Sequence, residues 1–337
     1  MTTKISSTTS TQPASGLFTS LIFISLLLTL CTLVLSAYIR LAQSGLDCTP
    51  WPSCYGQIGI ATEQQGIAVL TQAGAEMSHK GARVAHRIIA STLGITVSLI
   101  FLLSIKQRMR GQPGLLAATV LMATTLFLAI LGSYTPSRTI PWVTLGNLGG
   151  GMLMAALLWW LGQRSVAVHR TPTAKAISKG WAIIALLLIS LQILSGAWVS
   201  ANFAATACSS SLICEGFSLS STDLLNSFSL VRELTLSPQG SILLPEQLAQ
   251  AINLSHRLLA LLCFIYLSFF VIRLFGASQP LSATAKGIVL FLSLQLLLGV
   301  VSVYYQLPLL LVTLHNLLAA LLLLCLVNAL HHLGAQE

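Results

Sequence analysis

Eight apolar runs, each long enough to cross a bilayer, set the limits on what this chain can fold into. A membrane-crossing helix needs about 20 apolar residues, and such runs occur at roughly 17–38, 84–105, 114–134, 140–162, 180–200, 250–274, 285–305 and 307–330. Composition closes the soluble alternative. With 55% hydrophobic residues, 7% charged residues and a mean hydropathy of +0.85, there is too little polar surface to cover a globule of 337 residues. The expectation is an all-α integral membrane protein of eight helices. The first run follows a polar, Ser/Thr-rich tail and has no small-residue cleavage site, so it reads as an uncleaved span.

The charges orient these helices. Lys4, Lys106, Arg108, Arg110, Arg164, Arg170, Lys175, Lys179, Arg273 and Lys286 all fall in segments on one side. Cationic loops are retained in the cytoplasm, which predicts a bacterial inner-membrane protein with both termini inside. The other side holds two long loops, about 39–83 and 201–249, and seven of the eight acidic residues. The net charge of +9 is therefore a topology signal and gives no ground for nucleic-acid binding.

The first half of the chain recurs in the second. Ala85-His86-Arg87-Ile88-Ile89-Ala90 matches Ser255-His256-Arg257-Leu258-Leu259-Ala260, and Val143-Thr144-Leu145-Gly146-Asn147-Leu148 matches Val312-Thr313-Leu314-His315-Asn316-Leu317. Four helices return a chain to its starting side, so the repeats are expected to be parallel, two tandem four-helix bundles about a pseudo-two-fold axis along the membrane normal. This divides the chain into a tail (1–16), a first unit (17–162), a linker (163–179), a second unit (180–330) and a short tail (331–337). Each unit's long loop carries a C-x5-C pair, Cys48–Cys54 and Cys208–Cys214. In an oxidising compartment both pairs are expected to be disulfides, either loop clips or labile redox groups. Cys31, Cys263 and Cys325 lie inside spans as small packing residues.

His256 and His315 enter the membrane from one side at similar depth. Two neutral imidazoles facing each other in a helical bundle are the usual axial ligands of a b-type haem iron; hydrogen-bonded packing and proton relay remain the alternatives. Arg257 suits a haem propionate or snorkels at the interface. The first half keeps His86-Arg87, but Gly146-Asn147 stands where the second imidazole would be. His86 with Arg87 and Asn147 as neighbours is then a second candidate site with an open iron position, the glycines at 149–151 leaving room for a planar group. The alternative is a decayed copy whose glycines serve close helix packing. His79, His169, His331 and His332 read as surface residues.

Together the tandem halves, the loop motif Trp51-Pro52-Ser53-Cys54-Tyr55-Gly56-Gln57, the two His-Arg pairs and Val312-Thr313-Leu314-His315 resemble the haem A synthase family, over nearly the whole chain. The resemblance implies oxidation of the C8 methyl of haem O to a formyl group by successive hydroxylations, for cytochrome oxidase assembly. It further implies haem b held by His256 and His315, and a catalytic His86 facing the substrate haem O. The chain departs from the family at Gly146-Asn147 and at Arg83, where the family has a histidine and a glutamate; Glu76-x-x-His79 is a Glu-x-x-His about 10 Å further out along the helix. Electrons are expected from an external donor, since no flavin, nicotinamide or iron–sulfur motif is visible. A haem O synthase is the expected partner, with homo-oligomers open. A di-haem electron carrier and a permease built on parallel repeats are the competing classes.

Overall fold

The computed structural model describes residues 16–46, 55–56, 80–108, 114–134, 140–166, 177–208, 214, 225–230, 232–237 and 242–334. Among them are eight long helices: α1 (Gly16–Gln43), α2 (Lys80–Arg108), α3 (Leu115–Tyr134), α4 (Pro141–Ser165), α5 (Gly180–Ala201), α6 (Glu246–Leu274), α7 (Gln279–Tyr304) and α8 (Leu309–Gly334). All eight are long and apolar enough to cross a membrane, which makes this a multi-pass membrane protein. Between α5 and α6 lies a short antiparallel pair, β1 (Thr235–Leu236) and β2 (Ile242–Leu243), with Thr235 opposite Leu243.

Several helices outrun their apolar runs. The sixth starts at Glu246, the seventh at Gln279, and the eighth continues to Gly334. Hydropathy marks the part of a helix that lipid surrounds, whereas the helix itself continues to its cap. At α7 that cap is Ser278, whose side chain accepts from the Leu281 N–H, with a proline in the first turn.

Helices α1 to α4 close a ring, each packed on the next and α4 on α1, and α5 to α8 close another in the same order. Across the rings α1 meets α8, α4 meets α5, and α4 meets α8. Exchanging α1–α4 for α5–α8 turns this set of contacts into itself. Helices α4 and α8 have the largest buried share of the eight, which puts them at the centre. Leu158 and Ala155 of α4 and Leu322 and Leu326 of α8 are among the residues fully buried there.

Side-chain hydrogen bonds stitch this apolar core, as expected where lipid cannot satisfy a polar group. Ser25 donates to Thr96 between α1 and α2 at 2.8 Å. Gln163 of α4 donates to Asn328 of α8 at 2.6 Å, and Asn328 to Thr284 of α7 at 2.7 Å. Cys263 is buried, and Cys31 and Cys325 are half-buried free thiols, all three within helices.

One end of the bundle is capped by loops that join the two rings. Arg40 of α1 donates to the Ser200 hydroxyl of α5. Tyr55 packs on Phe203 with ring centroids 5.8 Å apart. Gly56, at φ 78°, donates to the Ser44 carbonyl and accepts from the Ile242 N–H. Its left-handed backbone explains a glycine at that point of the loop motif.

Candidate functional site

Within the second ring, α6 and α8 stand diagonally opposite, and they carry His256 and His315. Both residues are half-buried, and the two rings lie within electrostatic reach of each other. Each imidazole rests on a glycine of an intervening helix. A Cβ on Gly196 of α5 would stand 3.1 Å from His256 Cε1, and one on Gly299 of α7 would stand 3.6 Å from His315 Cε1. Each glycine lies five residues before the last residue of its helix, so both contacts fall at one depth, about 7–8 Å from the helix ends at a rise of 1.5 Å per residue.

Four residues before each glycine, and so on the same helix face, is a glutamine. Gln192 donates through Nε2 to the His256 carbonyl at 3.3 Å, and that nitrogen lies 3.2 Å from His256 Nδ1 and 3.4 Å from its Nε2. Ser195 Oγ is 2.8 Å from the Gln192 carbonyl and 2.8 Å from His256 Nδ1. On the other side, His315 Nδ1 and Gln295 Oε1 are buried with no hydrogen-bond partner among the described residues, as is Gln192 Oε1. Buried polar atoms left unsatisfied are uncommon and mark a site where a further group is expected. Two imidazoles on diagonally opposite helices of one ring, each backed by a glycine, fit a haem held by two ring nitrogens.

Sequence reading found the two histidines but missed Gln192, Ser195, Gly196, Gln295 and Gly299. The signal was available: Gln192 and Gln295 interrupt apolar runs, each with a glycine four residues on. Arg257, expected at a propionate, donates to the Cys208 carbonyl at 2.8 Å and so ties α6 to the loop closed by the Cys208–Cys214 disulfide. Next to that loop, Arg232 donates to Asn202 at 2.5 Å and to the carbonyls of Asn226 and Ser227; burial lowers its pKa.

In the first ring His86 on α2 is half-buried, Arg87 is exposed, and Arg83 lies half-buried one turn earlier. Diagonally across, Asn147 on α4 is half-buried. The glycines of α4 take close packing from neighbouring helices, and Gly146, Gly149 and Gly150 also line an open groove. A Cβ on Gly146 would stand 2.7 Å from Leu131 Cδ2, one on Gly150 2.7 Å from Leu128 Cδ2, and one on Gly151 2.7 Å from Leu33 Cδ2. They admit α3 and α1 to the backbone of α4, which is the packing alternative. A groove of about 710 Å³ runs beside them, lined by Phe127, Trp142, Leu145, Leu153, Leu194 and Leu230 among others. The Cys48–Cys54 pair, Glu76, His79 and His169 lie outside the described residues. His331 and His332, read as surface residues, are half-buried in α8, with His331 edge-on to Trp160 of α4 at 5.6 Å.

Fold and site thus define a multi-pass helical membrane protein with a paired-imidazole site enclosed by one of two four-helix rings. The chain belongs to the COX15-CtaA family of cytochrome oxidase assembly proteins, whose family model matches residues 19–327. It is also 31% identical over 317 residues to a haem A synthase of Shewanella oneidensis, covering 92% of this chain and 94% of that protein.

Proposed function

We propose that this protein is a haem A synthase, an oxidoreductase of haem A biosynthesis for cytochrome oxidase, and that it oxidises the C8 methyl of haem O to a formyl group. The observation that carries the reading is the paired site of His256 and His315 on Gly196 and Gly299, in a chain of this family. A haem b there supplies one-electron transfer. The protein's own residues bind and orient it: His256 and His315 each offer a ring nitrogen, and the two glycines let the rings lie against the helix backbones. Arg257 keeps the disulfide loop over the start of the site.

In the first ring, His86 faces the substrate haem O, with Arg87 and Asn147 as its further contacts. Two successive hydroxylations, each taking one oxygen atom from dioxygen while two donor electrons and two protons reduce the other to water, turn the methyl into a geminal diol, which loses water to give the formyl group. Electrons reach the site from a membrane or soluble donor outside the chain. A haem O synthase is the partner that supplies substrate, and co-purification of the two tests that association. The first and second units then divide the work, one binding substrate and the other passing electrons, in an inner membrane with both termini in the cytoplasm.

The test is haem extraction and chromatography of the protein purified from a host that makes haem O but no haem A. Haem A, or haem O hydroxylated at C8, present in the wild type and absent from His86→Ala, is the expected result. Haem b and unaltered haem O alone in the wild type would refute the oxidation.

A further inference from the structure

We propose that Ser195 is the positioning residue for His256: its hydroxyl accepts the Nδ1–H proton, so that Nε2 is left to present its lone pair to the haem iron. The inference rests on reading His256 and His315 as haem ligands. Ser195 Oγ stands 2.8 Å from the Gln192 carbonyl and 2.8 Å from His256 Nδ1. A hydroxyl has one proton to give, and a carbonyl can only accept. Both contacts are satisfied together in one arrangement alone, with Ser195 donating to the carbonyl and accepting from Nδ1–H. Gln192 does not compete for that proton. Its Nε2 is a donor, 3.3 Å from the His256 carbonyl, 3.2 Å from Nδ1 and 3.4 Å from the ring Nε2, so it takes no proton from the ring, and turning the amide over would set two carbonyl oxygens against each other.

The other half of the site is built differently. Gln192-Ile-Leu-Ser195-Gly196 on α5 and Gln295-Leu-Leu-Leu298-Gly299 on α7 share the glutamine and the glycine, and both glycines back an imidazole. They differ in the residue before the glycine. Where α5 has a hydroxyl, α7 has Leu298, and the acceptor in reach of the His315 ring is the Gln295 backbone. A ligand imidazole that donates its second N–H is oriented by that bond and made more basic. The more basic ligand favours ferric over ferrous iron, so Ser195 lowers the reduction potential of the haem.

The test uses the purified haem-loaded protein, with redox titration of its absorption bands and transfer of haem to excess apomyoglobin as the two readouts. Ser195→Ala is expected to raise the midpoint potential and to speed haem loss about tenfold, the lower end of what such supporting hydrogen bonds contribute. Ser195→Thr, which restores a hydroxyl, is expected to keep both near the wild type. A Ser195→Ala protein with wild-type potential and haem loss overturns the proposal. If Ser195→Ala holds no haem, Ser195→Thr decides: loaded at the wild-type potential it supports the proposal, and empty it overturns it. Low-spin haem retained in His256→Ala is a separate failure, of the ligand reading itself.

Discussion

Gly196 and Gly299 stand in the same relation to an imidazole but leave different margins. At 3.1 Å from His256 Cε1, a methyl on Gly196 is closer than side chains normally approach, so the ring must shift by a few tenths of an ångström. At 3.6 Å, a methyl on Gly299 makes an ordinary contact. Gly196→Ala is therefore expected to weaken haem retention by about tenfold, a cost of about 1.4 kcal/mol, and to shift the absorption bands. Gly299→Ala is expected to leave both unchanged and to gain a few tenths of a kcal/mol in helix stability. Parallel haem-transfer and absorption measurements check the pair. His256 and His315 were legible in the sequence because an ionisable group inside an apolar run stands out. Gln192 and Gln295 interrupt their runs as sharply, but a lone amide or hydroxyl in a span carries no metal-ligand chemistry to mark it. Only the packing of α5 against α6 shows that Gln192 and Ser195 meet His256.

The fourth helix is a spine whose glycines are occupied by its neighbours. A Cβ on Gly150 would overlap Leu128 of α3, and helix cores tolerate such overpacking poorly. Gly150→Ala is expected to lower stability by about 1–3 kcal/mol, read as the shift in thermal unfolding in detergent. Gly94→Ala on α2, where no atom lies within 4 Å, is the control, expected to gain about 0.5–1 kcal/mol. The loop after α5 depends on its disulfide. Cys208 and Cys214 lie six residues apart, and opening so short a loop is expected to cost about 2 kcal/mol in the Cys208→Ser/Cys214→Ser double variant. The existence of all eight helices and the C-x5-C pairing at Cys208–Cys214 could be read from the sequence. The helix ends could not, since caps such as Ser278 lie beyond the apolar stretch. Nor could the packing role of the α4 glycines, which sequence alone leaves equally open to a ligand.

Two rings of four helices share one set of contacts, and the repeated His-Arg pairs lie on α2 and α6. What holds the rings together at the loop end was hidden, because it joins residues far apart in sequence: Arg40 with Ser200, Tyr55 with Phe203, and Gly56 with Ser44 and Ile242. Burial raises the pKa of Tyr55, against a hydrogen bond with the Ala205 backbone and the Arg40 charge. The folded state therefore holds the phenol neutral. That contribution is complete below the ordinary value of 10.0 and is lost as pH rises through the higher folded value. Unfolding followed between pH 8 and 12 is expected to show the wild type losing more stability above about pH 10 than Tyr55→Phe does; equal losses would remove Tyr55 from the cap.

The two rings are given different work in this account, and that division turns on one site. The most direct measurement is electron paramagnetic resonance of the oxidised, purified protein beside its histidine variants. A low-spin ferric signal of a bis-imidazole haem is expected in the wild type and in His86→Ala, and its loss in His256→Ala and in His315→Ala. A low-spin signal that survives loss of either His256 or His315, or that disappears with His86 instead, would contradict it.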